Sequence, residues 1–100
     1  MSAIEVVQAA PDRYAVRGAL TFQTARRALA AGVKAFGAAR GPIELDLSGV
    51  ASSDSAGLAV LIEWLAWGRR SGRDVHFSNL PQALSAIARM CEIEDLLKAH

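Results

Sequence analysis

The segment Ile43-Glu44-Leu45-Asp46-Leu47 alternates apolar and polar residues with period two, and stretches of helical periodicity lie on both sides of it. Strands covered on both faces usually read as continuous apolar runs. This one sits between helices yet keeps a polar face, which calls for an open sheet with helices mainly on one side. The chain has 100 residues, 52% apolar and 21% charged, enough to bury a core for one domain spanning 1–100.

The flanking segments extend the pattern. Ile4-Glu5-Val6-Val7 and Tyr14-Ala15-Val16-Arg17 read as an antiparallel pair around a Pro11-Asp12 turn, with Gly18 breaking the second strand. Thr21 reads as the N-cap of a helix whose apolar stripe is Phe22, Ala25, Leu29, Val33 and Phe36; Gly37 and Gly41-Pro42 end it. Residues 48–53 read as a loop of small residues. Ser53 or Asp54 caps a second helix running from about Ser55 to Arg70, which Gly72 stops. Val75-His76-Phe77-Ser78 is a further alternating strand. Pro81 opens a third helix with the stripe Leu84, Ile87, Ala88 and Cys91, and Ile93, Leu96 and Leu97 suggest a short last one. The order β-β-α-β-α-β-α-α predicts an α/β domain with a mixed sheet of about four strands. The helix crossovers make parallel neighbours and the first hairpin an antiparallel edge.

Several function classes fall away. A net charge of +1 excludes a strongly basic nucleic-acid binder as the default. The length excludes most self-contained catalytic folds. Cys91 is the single cysteine and reads as a small core residue; no C-x-x-C or H-x-x-x-H spacing offers a metal site. The start Met1-Ser2-Ala3-Ile4-Glu5 has no basic and apolar leader pattern. The greasy stretch Ala56–Gly68 contains Glu63 and falls short of the about 20 apolar residues of a membrane span. These absences favour a cytoplasmic chain without metal or cofactor. Arg69, Arg70 and Arg73 read as a basic helix end that suits the negative end of the dipole.

The informative stretch is Ser53-Asp54-Ser55-Ala56-Gly57, hydroxyls and a carboxylate at a helix N-terminus. Capping alone accounts for Ser53 and Asp54, less well for Ser55, which lies one position further. Three functional readings of Ser55 compete. As a nucleophile it lacks a base: His76 falls on the polar sheet face and His100 is terminal. As part of an anion cradle it has no phosphate-loop glycines and no nearby lysine. As part of a partner-docking surface it is a site that phosphorylation could switch. The helical wheel favours docking. Leu58, Leu61, Ile62 and Leu65 share one face, while Val60, Trp64 and Trp67 lie near the opposite side. A helix on a sheet buries one stripe, so the tryptophans read as exposed anchors and Gly57 as a point of close approach. The alternative is that the first and third helices flank this one and bury both rings. The candidate partner-binding residues are therefore Asp54, Ser55, Gly57, Val60, Trp64 and Trp67, with Ser55 a candidate phosphorylation site and no catalytic or metal-ligating residue.

Gly18-Ala19-Leu20, Thr24-Ala25, Asp46-Leu47-Ser48-Gly49-Val50, Asp54-Ser55-Ala56-Gly57-Leu58 and Asn79-Leu80-Pro81 together resemble the STAS domain (sulfate transporter and anti-sigma-factor antagonist), over nearly the whole chain. The family fold agrees with the order derived above. The resemblance implies two roles. In anti-sigma-factor antagonists a serine two places after the loop aspartate is phosphorylated by a partner kinase; Ala56 stands there in this chain, and Ser55 is the surviving hydroxyl. A stand-alone domain of this size, with that hydroxyl and a greasy second helix, is similar to the MlaB type, the cytoplasmic STAS subunits of phospholipid ABC transporters in Gram-negative bacteria. That likeness implies a non-enzymatic subunit docked on an MlaF-like ATPase, in a complex with a permease at the inner-membrane cytoplasmic face, supporting outer-membrane lipid asymmetry. The runner-up is a signalling module regulated by serine phosphorylation.

Overall fold

The computed structural model describes residues 4–37, 41–93, 95 and 97. The elements are β1 (Glu5–Ala10), β2 (Arg13–Leu20), α1 (Ala25–Phe36), β3 (Ile43–Ser53), α2 (Ser55–Ser71), β4 (Val75–Ser78) and α3 (Gln82–Met90). Strands lie in the order β1-β2-β3-β4. β1 and β2 are antiparallel around the Pro11-Asp12 turn; β2–β3 and β3–β4 are parallel. This is the α/β mixed sheet that the alternation predicts.

The alternation of β3 sorts the two faces. Ile43, Leu45 and Leu47 are fully buried under the helices, with Tyr14 and Val16 from β2 and Val75 from β4. The other face carries Arg13, Glu44, Asp46 and Ser78. Arg13 Nε lies 3.4 Å from Glu44 Oε2, and the Ser78 hydroxyl donates to the same oxygen. Asn79 Nδ2 and the Ser48 N–H both donate to Asp46 Oδ1, each at 2.9 Å. They hold the Asp46 carboxyl below its ordinary value of 3.8, Asn79 contributing most.

Four expectations need correction. Residues 48–53 are strand rather than loop: β3 runs on to Ser53, paired with Arg17–Leu20. Ala15 pairs with Asp46 but Arg17 with Gly49, and Gly18 pairs with Val50 but Ala19 with Ser52, so β3 carries an extra residue at two bulges. Gly49 suits the first, because a Cβ there would make a tight 3.0 Å approach to the Val16 carbonyl oxygen. Second, α1 starts at Ala25, three residues after Phe22, with Thr24 rather than Thr21 at the N-cap position. The Thr24 hydroxyl donates to the Ala19 carbonyl oxygen at 2.7 Å and accepts from the Thr21 N–H, pinning the β2–α1 corner. The buried line of α1 is Ala28, Gly32 and Phe36, while Phe22 and Val33 face solvent. Third, Cys91 is exposed, because α3 ends at Met90 and leaves it at the C-cap; Leu84 and Ala88 are the buried positions. Fourth, Arg73 serves α1, not its own helix end: Nη1 donates to the Phe36 carbonyl oxygen at 2.8 Å. Of the last short helix, Asp95 and Leu97 are helical and Leu97 is buried; Leu96 and His100 lie outside the described residues.

Candidate functional site

The site is the corner where β3 hands over to α2. Asp54 is the α2 N-cap, in extended conformation. Its Oδ1 accepts from the Ala56 N–H at 2.9 Å and the Gly57 N–H at 3.2 Å, and its Oδ2 accepts from the Phe22 N–H at 3.1 Å. One carboxylate thus caps α2 and ties it to the β2–α1 corner. Two of the amides an external anion would take, those of Ala56 and Gly57, are already occupied.

Gly57 does make a close approach, but inside the chain. A Cβ there would stand 2.3 Å from the Leu20 carbonyl oxygen, so glycine lets α2 start directly against the end of β2. The expectation that Gly57 meets a partner is corrected accordingly. Ser55, the first residue of α2, is exposed. His76 is not near it. His76 pairs with Glu44 at the start of β3, and Ser53 lies nine positions beyond Glu44, up to about 30 Å of strand. Among the described residues, no three His, Cys, Asp or Glu side chains are placed to hold a metal ion, and no helix is long and apolar enough to cross a membrane.

The tryptophan face turns inward. Trp64 has no exposed surface and Val60 is 1% exposed, so neither is a surface anchor. The reason lies on α1. At Gly32 a Cβ would come within 2.4–2.8 Å of the Trp64 indole, so the ring occupies the space a side chain would fill. Phe36 meets it edge-on, with ring centroids 5.7 Å apart. Trp64 Nε1 is buried without a hydrogen-bond partner, a cost of about 1–3 kcal/mol that the packing offsets. Trp67 is half-buried; it packs on Phe36 and lies beneath the Arg73 guanidinium, 5.4 Å from the ring centroid. The flanking-helix alternative therefore describes Trp64 fully and Trp67 in part, with α1 supplying the cover.

With that face sealed, α2 shows solvent a different line: Ser55, Ala59, Glu63 and Arg70, bordered by half-buried Ile62, Leu65 and Ala66. The side chain that sequence reasoning misses is Phe22, 79% exposed on the corner that Asp54 holds. The signal was available: Thr24-Ala25 starts a helix as readily as Thr21-Phe22, and Phe22 then precedes the first turn.

Solved structures with this architecture define its class as an α/β STAS-like fold. A sulfate transporter family protein from Wolinella succinogenes superposes with TM-score 0.68 at 19% identity, over 95% of this chain and 77% of that one. The anti-sigma factor antagonist SpoIIAA in its unphosphorylated form gives 0.65 at 14% identity, over 88% and 83%. The murine Solute Carrier 26 family member A9 anion transporter, inward-facing, gives 0.66 at 15% identity; the match covers 89% of this chain and 18% of that transporter. No curated protein sequence matches the chain. Within the class the assignment is narrower: residues 7–98 match the family described as Mlab, STAS domain, and the chain belongs to that family.

Proposed function

We propose that this chain is a non-catalytic cytoplasmic STAS subunit that binds and supports the ATPase of a phospholipid ABC transporter, in a complex with its permease, and so contributes to outer-membrane lipid asymmetry. The Mlab family match over residues 7–98 carries the reading. The exposed Ser55 hydroxyl and the adjoining line Ala59, Ile62 and Ala66 on α2 supply a docking face. That face replaces the one through Val60 and Trp64, which are core residues. Asp54 shapes the face from beneath. Ser55 is also the hydroxyl that a kinase could modify there, since Ala56 has none; a phosphate would add about −1.5 to −2 charges to a surface packed against a partner.

The test is co-purification with an MlaF-like ATPase co-expressed with the chain. Ser55→Asp abolishes retention of the ATPase while the circular dichroism melt stays as in wild type. Retention at wild-type strength by Ser55→Asp overturns the docking face, and failure of the wild-type chain to bind overturns the transporter reading. Stoichiometric phosphate on Ser53 or Ser55 after incubation with a neighbouring anti-sigma kinase favours the signalling module instead.

A further inference from the structure

The first turn of α1 has its charges the wrong way round. Arg26 and Arg27 occupy its second and third positions, at the positive end of the helix dipole, and that turn contains no acid. Both side chains are exposed, and neither has an ion-pair partner among the described residues. One turn from the other end Lys34 is exposed too, so the outer face of α1 holds three cations and no anion. Among the described residues nothing accounts for two arginines at that end of the helix.

The same turn borders a groove of about 670 Å³ lined by Phe22, Gln23, Ala25, Arg26, Arg27 and Ala30. Phe22, 79% exposed, forms one wall, although a ring of that size is ordinarily covered. Its backbone is held in place, because its own N–H donates to Asp54. The combination is an apolar recess with two arginine forks at its rim, a geometry that matches carboxylates.

We infer that this groove receives an acidic segment of a partner protein, one apolar side chain lying against Phe22 and flanking carboxylates meeting Arg26 and Arg27. Charge complementarity selects the occupant. A concave recess suits a side chain better than the flat surface of a bilayer, and two rim arginines fall short of the about 4–8 clustered cations of a polybasic lipid site. The inference rests on the reading that the chain docks on a protein, and it names the chemistry of the segment that lies beside Ser55.

The charge reversal Arg26→Glu/Arg27→Glu separates folding from binding, because acids at the start of a helix favour it. The double variant melts at or above the wild-type temperature, yet binds the MlaF-like ATPase at least tenfold more weakly at low salt. Its affinity loses most of the wild-type salt dependence. Phe22→Ala weakens binding as well, whereas Arg17→Glu, exposed on the open face of the sheet, does not. Wild-type affinity in Arg26→Glu/Arg27→Glu overturns the inference and leaves the Ser55 face standing. If the ATPase does not bind at all, a ten-residue peptide alternating Glu and Leu decides the groove by itself. Amide shift changes confined to residues 22–34 support it, and changes absent or centred on Arg69 and Arg70 overturn it. Co-sedimentation with phosphatidylglycerol vesicles that depends on Arg26 and Arg27 assigns the groove to lipid and also overturns it.

Discussion

Trp64 and Phe22 sit in two regions that solve opposite problems with similar material. In the seam between α1 and α2, Trp64 is completely covered because α1 offers Gly32 where a side chain would stand and Phe36 beside it. At the corner before α1, Phe22 is 79% exposed: no element among the described residues covers it, and its backbone is tethered to Asp54. Indole and phenyl rings are both strongly apolar, so hydrophobicity does not decide which of them faces solvent. The size of the residues opposite does. A glycine draws the larger ring in, and the lack of a covering element among the described residues leaves the smaller one out.

The largest test of that contrast is removal of the ring from the seam. Trp64→Ala leaves a cavity lined by Phe36, Gly32 and the sheet, and is expected to lower stability by about 3–5 kcal/mol. Set against a typical total of about 5–15 kcal/mol, that is enough to leave part of the population unfolded at 37 °C. Urea unfolding followed by far-ultraviolet circular dichroism reads it as a drop in midpoint at unchanged slope. Gly32→Ala attacks the same seam from the other helix. Its Cβ would come within 2.4 Å of the indole nitrogen, so the ring or the helix must shift, for a cost of about 1–3 kcal/mol. An unchanged midpoint in both variants would mean that Trp64 is not sealed where the structure has it.

What the sequence makes legible follows the same division. Period-two alternation in 43–47 places the sheet and its covered face, and Asp54 and Gly72 bound α2 within a residue at each end, because such signals are local. The seam was not legible. Periodicity shows that α2 is apolar on two sides without saying what covers the second, and Ala28 and Gly32 add almost nothing to an apolar stripe while opening room for the ring. The strand beyond Ser48 was hidden for a related reason: small residues with weak strand preference are held there by pairing with β2 across two bulges. Of the candidate site, Asp54 and Ser55 fall where expected, at the cap and the exposed first residue of α2. Gly57, Val60 and Trp64 are buried and not on the surface: Gly57 abuts the Leu20 carbonyl, Trp64 fills the space at Gly32, and Val60 is 1% exposed.

The corner is expected to respond less than the seam. Asp54→Ala removes the cap on Ala56 and Gly57 together with the tether on Phe22, a loss of about 1–2 kcal/mol. Amide exchange locates it: the Phe22 and Ala56 N–H groups exchange faster, while Val16 and Leu45 in the sheet slow or hasten only with global stability. Uniform acceleration across the sheet would show that Asp54 supports the core and not merely the corner.

The smallest effect lies on the open face of the sheet, away from both regions. Asn79 and the Ser48 N–H stabilise the charged Asp46 carboxylate, so its proton affinity is lower folded than unfolded. The sign follows from that direction. The contribution is complete above the ordinary value of 3.8 and is lost as pH falls through the lower folded value. Asn79 has a φ of 55°, so Asn79→Gly removes the donor without straining the backbone, which Asn79→Ala would do. In Asn79→Gly the carboxyl carbon resonance of Asp46 titrates at a higher pH than in wild type, and the stability gap between the two proteins narrows below 3.8. An unmoved Asp46 midpoint would assign the shift to the Ser48 N–H alone. The open face would then be organised by the β3 backbone at its first bulge, independently of the turn after β4.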